Sequence, residues 1–418
     1  MTTRRDFLKV TTAAAVSSPI LQIASGAERK PRRIAIIATV WKYLSHGQHI
    51  VDRFLVGYPY EGKWQRPAIE VASLYVDQKP AGDQSSARAS EFEFKVYPTV
   101  AEALRCGGKK LAVDTVVIIG DDGDYPRNSK GQKLSPRYEF FQQAVKVFEQ
   151  DGRTIPVFNH GQVSSNWRQA KKMVEIAKTL RFPLLAGSSL PVTWRLPPLE
   201  LPLGCEIEEA LMIGFGSSNT MAYRGLEALQ CMVERRKGSE TGVRAVQMIE
   251  DDAVWKEDTE GRWSHELLEA ALSRSDVLFG DNAHPKDIAN NGELRQLVKH
   301  PTAYSIEHGD GLRTNLLMLD GAVGDFTFAA RIKGMSDLQS TQFLLSHRPS
   351  MSHSACLVHK IVEMIETGHA PYPVERAQVA SAILDRCLDS KMSGHRWLET
   401  PQLNIRYTAP RESHFCNV

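Results

Sequence analysis

Beyond its first 27 positions the 418-residue chain has no run approaching the ~20 consecutive apolar residues of a membrane-spanning helix. It also lacks charge of one sign. The formal net charge is +2 and no basic tract is interleaved with aromatics, which counts against nucleic acid or another polyanion as partner. The six cysteines (Cys106, Cys205, Cys231, Cys356, Cys387 and Cys416) contain no C-x-x-C pair. In an oxidising compartment they allow one or two disulfides; the other reading is that they are small buried hydrophobes. There is no internal repeat and no low-complexity linker. The most informative absence lies between Ala38 and Tyr43. A nucleotide-binding strand–helix turn carries G-x-G-x-x-G there, so that a pyrophosphate can approach the backbone at a helix N-terminus. This chain has Thr39, Val40, Trp41, Lys42 and Tyr43 instead.

What is present begins with an address. Thr3-Arg4-Arg5-Asp6-Phe7-Leu8-Lys9 fits the twin-arginine signal pattern, followed by a mildly apolar run from Val10 to Ile23 and small residues Ser25-Gly26-Ala27. The expectation is a signal peptide over residues 1–27 and an exported, periplasmic or extracytoplasmic protein with no membrane span in the mature chain. The remaining length allows two domains, read as 28–190 and 191–418.

The first domain alternates strands with helices. Ile34–Ala38, Ile69–Val76, Val113–Ile119, Ile155–Phe158 and Leu184–Ala186 are apolar runs suited to buried parallel strands. Helices are expected through Val51, Phe54 and Leu55, from Thr99 (with Glu102 three residues on, as in a capping box), over about 136–150 and over about 166–180. That order predicts a Rossmann-like, doubly wound parallel sheet. In such a sheet ligands gather outside the carboxyl ends of the strands. Four polar turns fall there: Trp41 to His49, Gly120 to Tyr125, Asn159 to Gln162 and Gly187 to Ser189. Asn159, Asp121, Asp122 and Asp124 are candidate ligand contacts. Asp77, ending the second strand, stands where an acid binds a ribose hydroxyl or merely closes a strand. Trp41 and Tyr43 can stack on a sugar or an adenine, or fill the space a coenzyme would take. His46, His49 and His160 are candidate metal ligands, with the three aspartates as added oxygen donors.

Beyond Glu206 the pattern changes to half-buried strands, Ile207–Gly214, Val243–Met248, Ala303–Ile306, Leu316–Leu319 and Phe326–Ile332, with a helix capped within Ser217-Ser218-Asn219-Thr220 and running through Gln230, Met232 and Val233, helices over 264–274, 353–366 and 375–390, and an apolar run at Val277-Leu278-Phe279. Glu307-His308-Gly309-Asp310-Gly311-Leu312-Arg313 gathers two carboxylates, an imidazole and a guanidinium in seven residues. Such a loop can bind sugar hydroxyls, share a metal or shuttle a proton, and equally can be a charged turn. Glu234 is read as a surface acid paired with a neighbouring arginine of Glu234-Arg235-Arg236.

The segments 97–104 (YPTVAEAL), 113–119 (VDTVVII), 372–376 (YPVER) and 400–403 (TPQL), in that order, resemble the glucose-fructose oxidoreductase and inositol dehydrogenase (Gfo/Idh/MocA) family, from about Arg33 to the C-terminus. The resemblance implies a Rossmann domain followed by an α/β domain with a large open, mostly antiparallel sheet that covers the nucleotide crevice and mediates homo-oligomers. It also implies a carbohydrate-like small-molecule ligand. Three family features are missing: the glycine fingerprint, the E-K-P lysine, whose place falls at Asn159-His160-Gly161, and the catalytic histidine near Tyr223–Glu227, where only the acid Glu227 stands. The leading expectation is an exported, carbohydrate-active enzyme using acid–base chemistry. His160, in the lysine's segment, is the acid/base, with Glu307 and His308 as its partners and Asp310, Arg313 and Glu227 in the pocket. NAD(P) and a divalent metal both stay open. The rivals are a true NADP-dependent sugar oxidoreductase holding its coenzyme tightly and a non-catalytic sugar-binding or scaffold protein on a decayed enzyme fold.

Overall fold

The apolar run Ile34–Ala38 is buried at every position, and it sits at the centre of a six-stranded sheet. The computed structural model describes residues 30–277 and 286–417. The segment read as a signal peptide, and Leu278 and Phe279 of the short apolar run, lie outside the described residues. Across the sheet the strands run in the order Lys95–Val96, Ile69–Val76, Arg32–Ala38, Thr115–Ile119, Val157–His160 and Leu184–Gly187. Every pairing is parallel. The order reverses at Arg32–Ala38, which puts a crevice between its carboxyl end and that of Thr115–Ile119. Helices Val100–Arg105, Arg137–Asp151 and Trp167–Leu180 cover one face. Thr99 caps the first of these, accepting from Glu102 N at 3.1 Å, and Asn166 caps the third.

The other face is covered by helix His46–Val56 and by His353–Thr367, which returns from far down the chain. Residues beyond the expected boundary at 190/191 thus complete the first sheet's packing. A disulfide joins Cys356 on that helix to Cys416, while Cys231 and Cys387 are buried thiols.

The second sheet has eight strands, mostly antiparallel, with one parallel pair between Ile207–Gly214 and Arg313–Met318. Period-two alternation divides its residues. Met212, Met248, Ile306, Leu316 and Phe328 face helices Asn219–Val233 and Glu375–Met392. Leu211, Ile213, Ile249, Leu317 and Ala329 face the opposite way and are covered by Val254, Leu267, Leu268 and Leu294 from the short helices Asp252–Thr259, His265–Leu272 and Leu294–Leu297. The sheet is therefore not open along its whole outer face. The remaining strip carries Ser305, Glu307, Arg313 and Asn315, which line a cavity of about 220 Å³, so an oligomer contact there would be polar. Among the described residues no helix is long and apolar enough to cross a membrane.

Helix Glu375–Met392 packs on both Trp167–Leu180 and Asn219–Val233 and so ties the two layers together. Its main polar anchor corrects the surface reading of Glu234. That residue is fully buried and takes Arg376 through two hydrogen bonds, from Nε at 3.0 Å and Nη2 at 2.6 Å, with Tyr407 Oη donating at 2.6 Å. Removing one partner of a buried pair strands the other charge, at a cost of about 3–5 kcal/mol. Glu234→Ala is expected to lose that much in urea unfolding, while Lys237→Ala, which breaks an exposed pair with Glu206, leaves the midpoint in place. Equal, small effects of the two substitutions would contradict this account of the anchor.

Candidate active site at the strand ends

Two strand ends meet at one carboxylate. Asp121 follows strand Thr115–Ile119. One of its oxygens receives Arg137 Nη2, and the other contacts Nδ1 of His160, the last residue of strand Val157–His160. Arg137 opens the helix that follows the Asp121 loop, and Gly120 lets it pass, since a Cβ there would come within 2.9 Å of Arg137 Cγ. Lys133 Nζ holds the loop from behind, donating to the Asp121 carbonyl at 2.5 Å. Burial alone would raise the Asp121 carboxyl, but the charges of Arg137 and His160 outweigh it and hold the group well below the usual carboxylate range. An ionised Asp121 accepts, so Nδ1 of His160 donates. Burial lowers the imidazole despite Asp121; it is neutral near pH 7, with a basic Nε2.

The second carboxylate of the loop faces the first helix. Ser45 caps helix His46–Val56, and Asp122 Oδ2 sits at its first turn, accepting from His46 N at 2.8 Å and from His46 Nδ1 at 3.0 Å. The other ring nitrogen, Nε2, lies 2.7 Å from Arg224 Nη2. A guanidinium only donates, so Nε2 accepts and Nδ1 carries the hydrogen. The His46 and His160 rings lie 4.8 Å apart. The tip of the Asp121 loop is drawn onto the second strand. Gln78 and Asp124 exchange two hydrogen bonds of 2.9 Å, and Tyr125 Oη donates to Asp77 at 2.7 Å. Beneath it Trp41 is fully buried and stacks on Phe94.

Helix Asn219–Val233 closes the site from the second layer, with Tyr223, Arg224 and Glu227 one turn apart on one face. Tyr223 Oη donates to the Gly161 carbonyl at 3.1 Å. Glu227 accepts from Ser188 N at 2.9 Å and Ser188 Oγ at 2.6 Å. Gly187 at φ +136° makes room, because a Cβ there would overlap Glu227 Oε1. Burial pushes the Glu227 carboxyl up to about 7, with the Ser188 hydrogen bonds only partly offsetting it.

The strand ends thus bring together His46, Asp121, Asp122, His160 and Glu227 of the residues singled out in the sequence. Others are placed elsewhere. Trp41 is core, not a stacking surface, while Tyr43 is 60% exposed. Asp77 spends both oxygens on tyrosine hydroxyls, of Tyr75 and Tyr125. The Asp124 side chain is exposed, and buried Asn159 donates to the Gln162 carbonyl at 2.9 Å. His49 is buried outside the His46–Asp121–His160 cluster, and burial, followed by Arg53, lowers its imidazole to about 4. Nor do Glu307 and His308 meet His160. His308 pairs with Glu240 and Thr314, Glu307 with Arg244, and Asp310 with Arg236, while Arg313 lines the outer-sheet cavity. Arg137, Arg224, Tyr223 and Ser188 were not singled out. The i, i+3 spacing of Arg224 and Glu227 is the signal that could have found one of them.

Neither a protein-family model nor a curated protein sequence matches the chain. Solved structures do. A probable dehydrogenase from Thermotoga maritima is 12% identical, with TM-score 0.52, over 89% of this chain and 99% of that one. GenD2 from gentamicin A biosynthesis, in complex with NAD, is 12% identical, with TM-score 0.52, over 90% and 97%. The myo-inositol dehydrogenase from Lactobacillus casei, in complex with NAD(H) and myo-inositol, is 10% identical, with TM-score 0.52, over 92% and 99%. The chain shares the fold of the Gfo/Idh/MocA-type dehydrogenases. Within that Gfo/Idh/MocA-type frame, the site described above stands at the carboxyl ends of the parallel strands, where α/β folds keep their ligands.

Glu227 gives the site a pH signature. Its folded form keeps a proton to about 7, against 4.5 for a free glutamate. Its contribution to stability is therefore fully present below about 4.5 and is lost as pH rises to about 7, a change of roughly 3 kcal/mol. Urea unfolding of wild type and Glu227→Gln between pH 4.5 and 8 is expected to show wild type losing that much relative to the variant. Parallel curves would contradict the buried, proton-holding carboxyl.

Proposed function

We propose that the protein is an exported enzyme that acts on a carbohydrate or polyol by acid–base chemistry without a nicotinamide coenzyme, with His160 Nε2 as the proton-transferring group and Asp121 orienting it. The observation that carries this reading is Asp122 at the N-terminus of helix His46–Val56. A dinucleotide of the kind bound in two of the similar structures would put its pyrophosphate on that helix end. Here the protein's own carboxylate takes the N–H and opposes a second anion. Trp41 fills the space below, and expelling its roughly 200 Å² of buried surface costs on the order of 5 kcal/mol at about 25 cal/mol per Å². The loop tip tied to Asp77 and Gln78 covers the crevice. The residues present do not fit the coenzyme, and no step runs through it.

A divalent cation fits no better. One ligand atom each from His46, Asp121 and His160 lie within 4.8 Å of one another. Both nitrogens of His46 are already engaged, however, and Arg137 and Arg224 bring positive charge to the same point. The histidine–aspartate pair itself is suited to general acid–base work: Asp121 fixes the tautomer and stabilises an imidazolium, and Nε2 moves the proton. Ligand space lies on the far side of Arg224, in a cavity of about 680 Å³ walled by Trp194, Phe215, Gln342 and His353, within the range of small-molecule sites. Export is supported by the twin-arginine pattern and by the Cys356–Cys416 disulfide.

One observation favours a non-catalytic carbohydrate-binding protein. The space beside His160, bounded by Asp121, Ser188, Tyr223 and Arg224, is about 10 Å³, room for no more than one water. A ligand in the larger cavity reaches His160 only if the Arg224 side chain moves. Proton NMR of neutral and acidic sugars and polyols incubated with the protein in D2O, with no nucleotide added, separates the readings. The enzyme reading predicts conversion or deuterium incorporation that falls about 100-fold in His160→Gln, whose amide still donates to Asp121, with the melting temperature retained. Line broadening without conversion would favour the binding protein and remove His160 from the chemistry.

A further inference from the structure

Arg224 is a guanidinium without a carboxylate. Among the described residues no acid lies within ion-pair distance of it. Its one short hydrogen bond goes to a neutral acceptor, His46 Nε2, and Nη1 has only the weak contact of 3.9 Å to Met221 Sδ. It forms the wall between the space beside His160 and the 680 Å³ cavity, so its remaining donors face ligand space. Arg348 lines the same cavity and has no hydrogen bond or ion pair among the described residues. Nearby, Arg53 spends its guanidinium on the carbonyls of His49, Ser350 and Met351.

Guanidinium groups dominate the charges felt by the histidines at this end of the cavity, while Asp121, Glu227 and Asp122 act on Arg224 without touching it. Burial, followed by Arg224 and Arg53, lowers the His353 imidazole to about 3. Burial, then Arg53, and in smaller measure Arg348, lowers that of His49 to about 4. Neither ring supplies compensating negative charge. The cavity lining also holds an acid. Asp325 accepts from Ser275 Oγ at 2.7 Å, Asp276 N at 3.0 Å and Gln342 Nε2 at 2.8 Å, and burial outweighs these bonds and raises its carboxyl. Asp276 is exposed at the rim. Trp194 and Phe215 add apolar surface. The lining thus combines two guanidinium groups, apolar rings and the hydrogen-bonding Gln342–Asp325 pair.

We infer that this cavity takes a monosaccharide bearing a carboxylate, with Arg224 as the anchor of the carboxylate, Arg348 as a second cation and the hydroxyls directed to the Gln342 and Asp325 wall. A planar guanidinium with an unused edge matches a carboxylate through two parallel hydrogen bonds. Such a ligand also supplies the negative charge that a half-buried, unpaired arginine lacks. The inference rests on the carbohydrate reading above and narrows it to acidic sugars.

Titration calorimetry of the full chain with glucuronate, galacturonate and gluconate, against glucuronamide, glucose and glucose 6-phosphate, tests it. In wild type at least one acidic sugar is expected to bind ten times more tightly than glucuronamide or glucose, and Arg224→Gln is expected to remove that advantage. The acid–amide comparison needs no variant and so does not depend on how Arg224→Gln folds. Neutral sugars binding as tightly as acidic ones would overturn the inference and leave the carbohydrate reading intact. Tighter binding of glucose 6-phosphate would overturn the choice of carboxylate over phosphate. No binding of any sugar would overturn both readings.

Discussion

A buried carboxylate must be paired, and Asp121 is paired twice, with Arg137 on one oxygen and His160 on the other. Much else at the sheet edge follows from that. Arg137 reaches Asp121 only because Gly120 leaves room, and Lys133 holds the loop's carbonyls. Gly161 at φ +71° keeps the next turn close, a Cβ there standing 3.0 Å from Asp121 Oδ1. With Asp121 fixed, Asp122 is directed at the first helix, and His46 is locked between Asp122 and Arg224. The chain of partners runs on to the second layer, where Arg224 reaches Asp122 only through the neutral His46 ring. Arg224, at its far end, is the group that still lacks an opposite charge in contact.

The same chain of partners changes what the frame can hold. In a dinucleotide fold the turn after the first strand is kept small and the helix end is kept free for phosphate. Here the turn holds a buried tryptophan and the helix end holds an aspartate. The frame is retained because it depends on apolar strands and covering helices, which tolerate any sequence of the right pattern. The larger cavity is walled by Arg224 and the residues after strand Gln339–Phe343.

Much of the frame was legible because local and global signals agree in it. Strands Ile69–Val76, Ile207–Gly214 and Phe326–Ile332 start and stop where the apolar pattern does, and Thr99, Asn166, Ser218 and Ser264 cap the helices expected to follow them. The convergence of polar turns was legible from topology alone, since parallel strands put all their carboxyl ends at one edge. Side-chain direction was not. Glu307 and His308 sit in a suggestive cluster, but pairing with Val243–Glu250 directs His308 to Glu240, away from the first sheet. His49 lies one turn from His46 yet stays outside the His46–Asp121–His160 cluster. Glu234 in a run of arginines reads as surface, and only the fold reveals Arg376 across from it. Arg137 gave no local signal, because an arginine on a helix looks the same whether it faces water or a buried aspartate; Arg224 had only its i, i+3 spacing to Glu227.

The central claim is that the protein's own side chains have replaced the coenzyme of this fold. Native mass spectrometry and absorbance of protein purified without added nucleotide, followed by titration with NAD and NADP in both oxidation states, test it most directly. The account predicts no bound nucleotide and no saturable binding in the millimolar range. A stoichiometric nicotinamide nucleotide would contradict it, showing that Asp122 and Trp41 yield the helix end to a pyrophosphate.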